Sequence, residues 1–155
     1  MKAQSGFTLI ELVAVLVLVA VLAVTVLPRM ESALAMRGDA WRDQVVATLR
    51  QAQSMAVGHR RLVCVSVASN ALSVSIATSQ PATSCSTAVP GPDGDARWAR
   101  DASAPATALS PTGNLFFQPS GRVTSDGAGL LATPGRITIS GQADVQVVAE
   151  TGHVQ

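Results

Sequence analysis

One stretch of this chain limits its possible folds more than any other. Residues 7–27 run Phe-Thr-Leu-Ile-Glu-Leu-Val-Ala-Val-Leu-Val-Leu-Val-Ala-Val-Leu-Ala-Val-Thr-Val-Leu, and Glu11 is the single charge among them. As a helix, 21 residues extend about 31 Å at ~1.5 Å per residue. That length matches a bilayer hydrocarbon core of roughly 30 Å. Met1 to Gly6 before it is short and polar and carries Lys2, the only lysine. An ordinary secretory signal fits poorly. The apolar run exceeds the usual h-region, no Ala-x-Ala-like site ends it, and a carboxylate sits near its start. A plain signal anchor is the alternative if Glu11 is set aside.

Glu11 cannot be set aside. By insertion scales, an acidic side chain at the bilayer centre costs on the order of 2.5–3.5 kcal/mol, so such a residue usually has a partner and a task. If the chain is cut between Gly6 and Phe7, the new α-amine lies one helical turn from Glu11. The amine of a neighbouring subunit, staggered along an axis, could also reach it. Either pairing neutralises two charges in a low-dielectric packing zone. Pro28 follows the run. It removes a backbone hydrogen bond and crowds the preceding turn, so a kinked but continuous helix is expected there, with simple termination of the span as the alternative.

Beyond Pro28 the pattern turns amphipathic. Asp39 reads as a helix cap for Ala40. Trp41, Val45, Leu49, Ala52 and Ala56 recur at three- to four-residue spacing, which predicts a helix ending near Gly58 with one apolar, core-facing stripe. Leu62–Val67 and Leu72–Ile76 around Asn70 read as a hairpin. Residues 78–110 are rich in Ser, Pro, Ala and Asp and read as one long exposed loop, with a turn cluster at 90–94. Further strands are expected at 115–117, from 123, at 136–140 and at 145–148, with a last short one at 152–154. The fold class is therefore α+β: a long N-terminal helix covering an antiparallel β-sheet head. The expected divisions are a leader at 1–6, a membrane or filament-core helix at 7–28 and a head at 29–155.

Cys64 falls in a strand and Cys85 in the loop after it. In an exported head both meet an oxidising compartment. A bridge would close a loop of about 20 residues, worth roughly 3 kcal/mol in the chain-entropy model. The alternative is a buried free Cys64 with Cys85 loose in its loop. Two cysteines without nearby histidines do not make a zinc site.

Gly6 followed by Phe7-Thr8-Leu9-Ile10-Glu11 resembles the type III prepilin motif of type IV pilins and type II secretion pseudopilins. The resemblance implies cleavage by a prepilin peptidase after Gly6, N-methylation of Phe7, and an assembly role for Glu11. Arg42-Asp43-Gln44-Val45-Val46-Ala47, Ala52-Gln53-Ser54-Met55-Ala56, Phe117-Gln118-Pro119-Ser120-Gly121-Arg122 and the late Gly152 resemble the GspH/FimT group. Arg60–Val65, Gly121–Gly129 and Glu150-Thr151-Gly152 are similar to the MshC branch, the minor prepilins of mannose-sensitive haemagglutinin (MSHA) pili, although His153 stands where an aromatic would be expected. This likeness spans most of the chain except 86–111. It implies a pilin-like fold and a minor subunit that primes or caps a pilus. The subunit would span the inner membrane once, with a periplasmic head, before entering the filament. Its implied partners are other major and minor pilins and the inner-membrane assembly platform.

Other functions were weighed on their residues. An enzyme lacks parts: His59 and His153 are the only histidines, and no nucleophile set or phosphate-binding glycine loop appears. No cofactor is implied. Asp93, Asp95 and Asp101 could suggest calcium, but they lack an EF-hand pattern and read as a solvated loop. Arg97 and Arg100 flanking Trp98, with Arg122 and Arg136, could engage nucleic acid as in FimT-like competence pilins. The neighbouring aspartates cancel much of that field. A GspH-type secretion pseudopilin differs from a pilus subunit here by resemblance alone.

Overall fold

The structure, a computed structural model, describes residues 8–155, with the side chains of 24–35 outside that description. Helix α1 is assigned over Leu9–His59. The chain divides into two compact units, Met1–Met36 and Arg37–Gln155.

In the first unit, Leu and Ala favour the helix and the many Val residues favour it less, and Thr8 stands at the N-cap. Among the described residues no helix is long and apolar enough to cross a membrane. The described side chains of the apolar run stop at Ala23. The assignment stays helical at Pro28, whose side chain lies outside the description.

The second unit begins within α1. Asp39 was expected to cap a helix, yet it lies inside one and is exposed. The helix already runs through Gly38 before it, so no cap is needed there. Gly38 lies against the flexible Gln142 amide. The predicted stripe is observed: Trp41, Val45, Leu49, Ala52 and Ala56 are essentially fully buried. The helix ends with Arg60 in the left-handed region (φ 52°), where Arg61 N–H donates to Ala56 O at 3.2 Å. That is the Schellman pattern of closure.

The strands follow: β1 Val63–Ala68, β2 Ala71–Ile76, β3 Thr87–Val89, β4 Arg97–Arg100, β5 Thr107–Ser110, β6 Asn114–Phe117, β7 Val123–Thr124, β8 Gly135–Ile139 and β9 Val145–Val147. All named pairings are antiparallel. The hairpin of β1 and β2 turns at Ser69 and Asn70, as the alternation suggested.

Two expectations need correction. Residues 78–110 are not one loop, because β3, β4 and β5 lie within them. β3 and β4 both pair with β2, and each is only three or four residues long, too short to show alternation in sequence. The expected single sheet is also two. One has the order β3-β2-β1-β6-β7, with β4 on β2; the other has the order β5-β8-β9.

The helix stripe packs with apolar residues of both sheets: Val63, Val65, Leu72, Val74, Leu115 and Phe117 from the first, and Leu109, Ile137, Ile139, Val145 and Val147 from the second. Polar ties supplement the core. Trp41 Nε1–H donates to Thr107 Oγ1 at 2.8 Å, Arg42 Nε–H to Ala143 O at 3.0 Å and Arg50 Nη2–H to Val154 O at 3.1 Å. Val154 bridges to Val147, and Gln155 exchanges two backbone bonds with Gln146, so the C-terminus closes the edge of β9.

Candidate functional site

Gly6 and Phe7, the expected cleavage and methylation positions, lie outside the described residues. The described site begins at Thr8. Its Oγ1 and its carbonyl oxygen both face the Glu11 N–H, at 3.4 and 3.1 Å, and the carbonyl also accepts from Leu12 N–H at 3.2 Å. Thr8 is thus the N-cap, and Glu11 is the third helical residue. Sequence reasoning passed over this arrangement, although Thr-x-x-Glu before an apolar run is the capping-box signature. At that position Glu11 also lies against the positive end of the helix dipole, which favours a carboxylate. The cap contacts run through the Glu11 backbone N–H.

Above Glu11 the helix is apolar on every side. Leu9, Ile10, Leu12, Val13, Val15, Leu16, Val17, Leu18, Val19, Val21 and Leu22 are all at least 45% exposed. A helix that is hydrophobic all round belongs in a membrane span or in the core of a larger assembly.

The head holds the other predicted sites. Cys64 and Cys85 form a disulfide with Cα atoms 6.1 Å apart. It joins β1 to the segment between β2 and β3. With Leu62, Ala77, Ala82 and Phe116 it forms a small apolar cluster apart from the main core. The arginines weighed for nucleic-acid contact stand beside carboxylates. Arg100 Nη1 lies 3.7 Å from Asp95 Oδ2, and Arg97 N–H donates to Asp95 Oδ1 at 3.1 Å. Arg136 Nη1 lies 3.3 Å from Asp144 Oδ2. Arg122 Nε lies 3.0 Å from Glu150 Oε2, a close ion pair whose N–H is not aligned for a hydrogen bond. Trp98 spends its own Nε1–H on Val89 O at 2.8 Å. Arg100, Arg122 and Arg136 thus each have a carboxylate neighbour, while the Arg97 contact is made by its backbone N–H. Asp93 and Asp95 accept backbone N–H groups of their own turn between β3 and β4. Among the described residues no group of three or more His, Cys, Asp or Glu could hold a metal ion. His59 closes the helix, and both histidines are exposed.

Comparison with known proteins bears on both ends of the chain. No curated protein matches the sequence. Residues 1–27 match the family described as the prokaryotic N-terminal methylation motif. The structure is similar to the crystal structure of the type IV minor pilin FimU from Pseudomonas aeruginosa strain PAO1. The TM-score is 0.50 at 15% identity, covering 76% of this chain and 86% of that one. The chain thus begins with an N-terminal methylation motif and has the α+β fold of a minor pilin.

Proposed function

We propose that this chain is a structural subunit rather than an enzyme: a minor pilin of an MSHA-type type IV pilus that primes or caps the filament. The observation that carries the reading is the apolar helix bearing one carboxylate at its third position, within the residues that match a methylation motif. Such a helix is stable in lipid or in a bundle of similar helices, and a pilus core is such a bundle. Prepilin peptidase cuts between Gly6 and Phe7 and the new amine of Phe7 is methylated. Residues 7–28 hold the subunit in the inner membrane, with its head in the periplasm, until the assembly platform moves it into the filament beside other major and minor pilins. There Glu11 pairs with an N-terminal amine, its own or a neighbour's. A bend at Pro28 lets the helix serve the head and the filament core in different directions. The minor-pilin fold and the prepilin-like resemblance of the head support the same role.

Intact-mass measurement of the protein recovered from membranes tests this. The expected species lacks residues 1–6, carries one added methyl group and retains the disulfide. A protein that keeps its Met1 end would overturn the reading.

A further inference from the structure

The disulfide does more than fasten its own segment. Two residues before Cys85, the backbone of Thr83 lies against Gly127. A Cβ at Gly127 would collide with the Thr83 carbonyl group, its carbon only 2.5 Å away. Gly127 belongs to the loop after β7, which carries Leu130 and Leu131, 85% and 70% exposed. That loop has bonds of its own. Thr124 Oγ1–H donates to Asp126 O at 2.6 Å, Gly129 N–H donates to Asp126 Oδ1 at 2.9 Å, and Gln118 Nε2–H reaches Thr124 Oγ1 at 3.0 Å and Gly127 O at 3.4 Å. Its outer face rests on Thr83. The segment with Thr83 has little else to hold it. Ala82 enters the small cluster around the disulfide, and Thr78 and Ser86 hydroxyls meet at 3.5 Å.

We infer that the Cys64–Cys85 disulfide orders two loops at once: residues 78–86 directly, and residues 125–131 through the backbone contact of Thr83 with Gly127. The bridge thereby sets how firmly Leu130 and Leu131 are displayed. Exported, oxidised protein presents this apolar pair on a braced loop, and protein without the bridge presents it on a loose one. A side chain at position 127 separates the loops while leaving the bridge intact.

Amide hydrogen exchange on the full chain in detergent tests the coupling. In Cys64→Ser with Cys85→Ser, the Ala77 amide beside 78–86, bonded to Leu62 O, and the Gly129 amide in 125–131, bonded to Asp126, should both quicken by about tenfold or more, with β8 and β9 unchanged. Faster exchange at Ala77 alone would overturn the inference. Should the double variant fail to fold, Gly127→Ala decides with the disulfide in place. It should quicken exchange at Gly129 while the bridge still protects Ala77, and unchanged exchange at Gly129 would refute the contact as the link.

Discussion

Trp41 joins the helix to the second sheet twice over, by burial and by a hydrogen bond across 66 residues of sequence. Its side chain is 1% exposed, and its indole N–H donates to Thr107 Oγ1 at 2.8 Å. Trp41→Phe removes two carbons and one nitrogen. At ~0.8 kcal/mol per carbon the lost burial is about 1.6 kcal/mol, and the lost hydrogen bond adds about 1 kcal/mol. Thr107 still donates to Pro105 O at 2.9 Å, so no buried donor is orphaned and the sum stays near 2.5 kcal/mol. Thr107→Val differs, because it strands the indole N–H, at a cost of about 1–3 kcal/mol. The loss of the Pro105 contact is common to both backgrounds and cancels in a double-mutant cycle. Urea unfolding of the full chain in mild detergent, followed by circular dichroism, supplies the four free energies. Thr107→Val should cost about 1 kcal/mol or more less in the Trp41→Phe background than in the parent. Additivity within about 0.3 kcal/mol would refute the bond as the tie between helix and sheet.

The other expectations are shorter. Leu49→Ala, at a fully buried position between the sheets, should lower unfolding free energy by about 3–5 kcal/mol in the same titration. Gly152 has φ 65°, and a Cβ on it would meet Gly121 O, so Gly152→Ala should destabilise the head, whereas Gly94→Ala, with open space around it, should cost less. Gly6→Asp should leave the unprocessed precursor on a gel, and a mature-sized band would contradict the cut site. Glu11→Ala should still be processed but should enter filaments poorly, read by pilus number in cells; normal numbers would contradict the charge pairing.

How much of this was legible beforehand depended on period and length. The stripe from Trp41 to Ala56 covers more than four turns, enough for its spacing to stand out, and every member is in the core. The second strand of the β1–β2 hairpin alternates over Leu72–Ile76 and, with Asn70 as its turn residue, was equally plain. Thr87–Val89 and Arg97–Arg100 were not, because three or four residues carry no readable alternation and their Pro/Gly surroundings look like loop. The split into two sheets is a tertiary choice, made by which strands pair, and both sheets share one core with the helix stripe. Asp39 misled because an aspartate before an amphipathic stripe looks the same in sequence whether the helix starts there or is already running. The disulfide was readable from cysteine count and compartment. The contact between Thr83 and Gly127 was not, since nothing in either loop's sequence refers to the other.

Within the proposed function, magnitudes show what Glu11 can and cannot do. Burying a Val or Leu side chain away from water is worth about 1.5–3 kcal/mol. The eleven exposed apolar residues between Leu9 and Leu22 therefore stand to gain on the order of 20 kcal/mol by leaving water. One carboxylate costing about 3 kcal/mol cannot keep that helix out of a membrane. Once in lipid the balance changes, because acyl chains are as apolar as leucine and the hydrophobic effect no longer favours helix against helix. The term that still differs between lipid and a bundle of like helices is the polar one. Glu11 unpaired in hydrocarbon is penalised, and pairing with a neighbour's freed amine reduces that penalty only in the bundle. A single charge near the start of an otherwise uniform helix thus favours assembly over storage in the membrane when its partner is the neighbour's amine rather than its own, and the need for a freed amine ties that preference to cleavage.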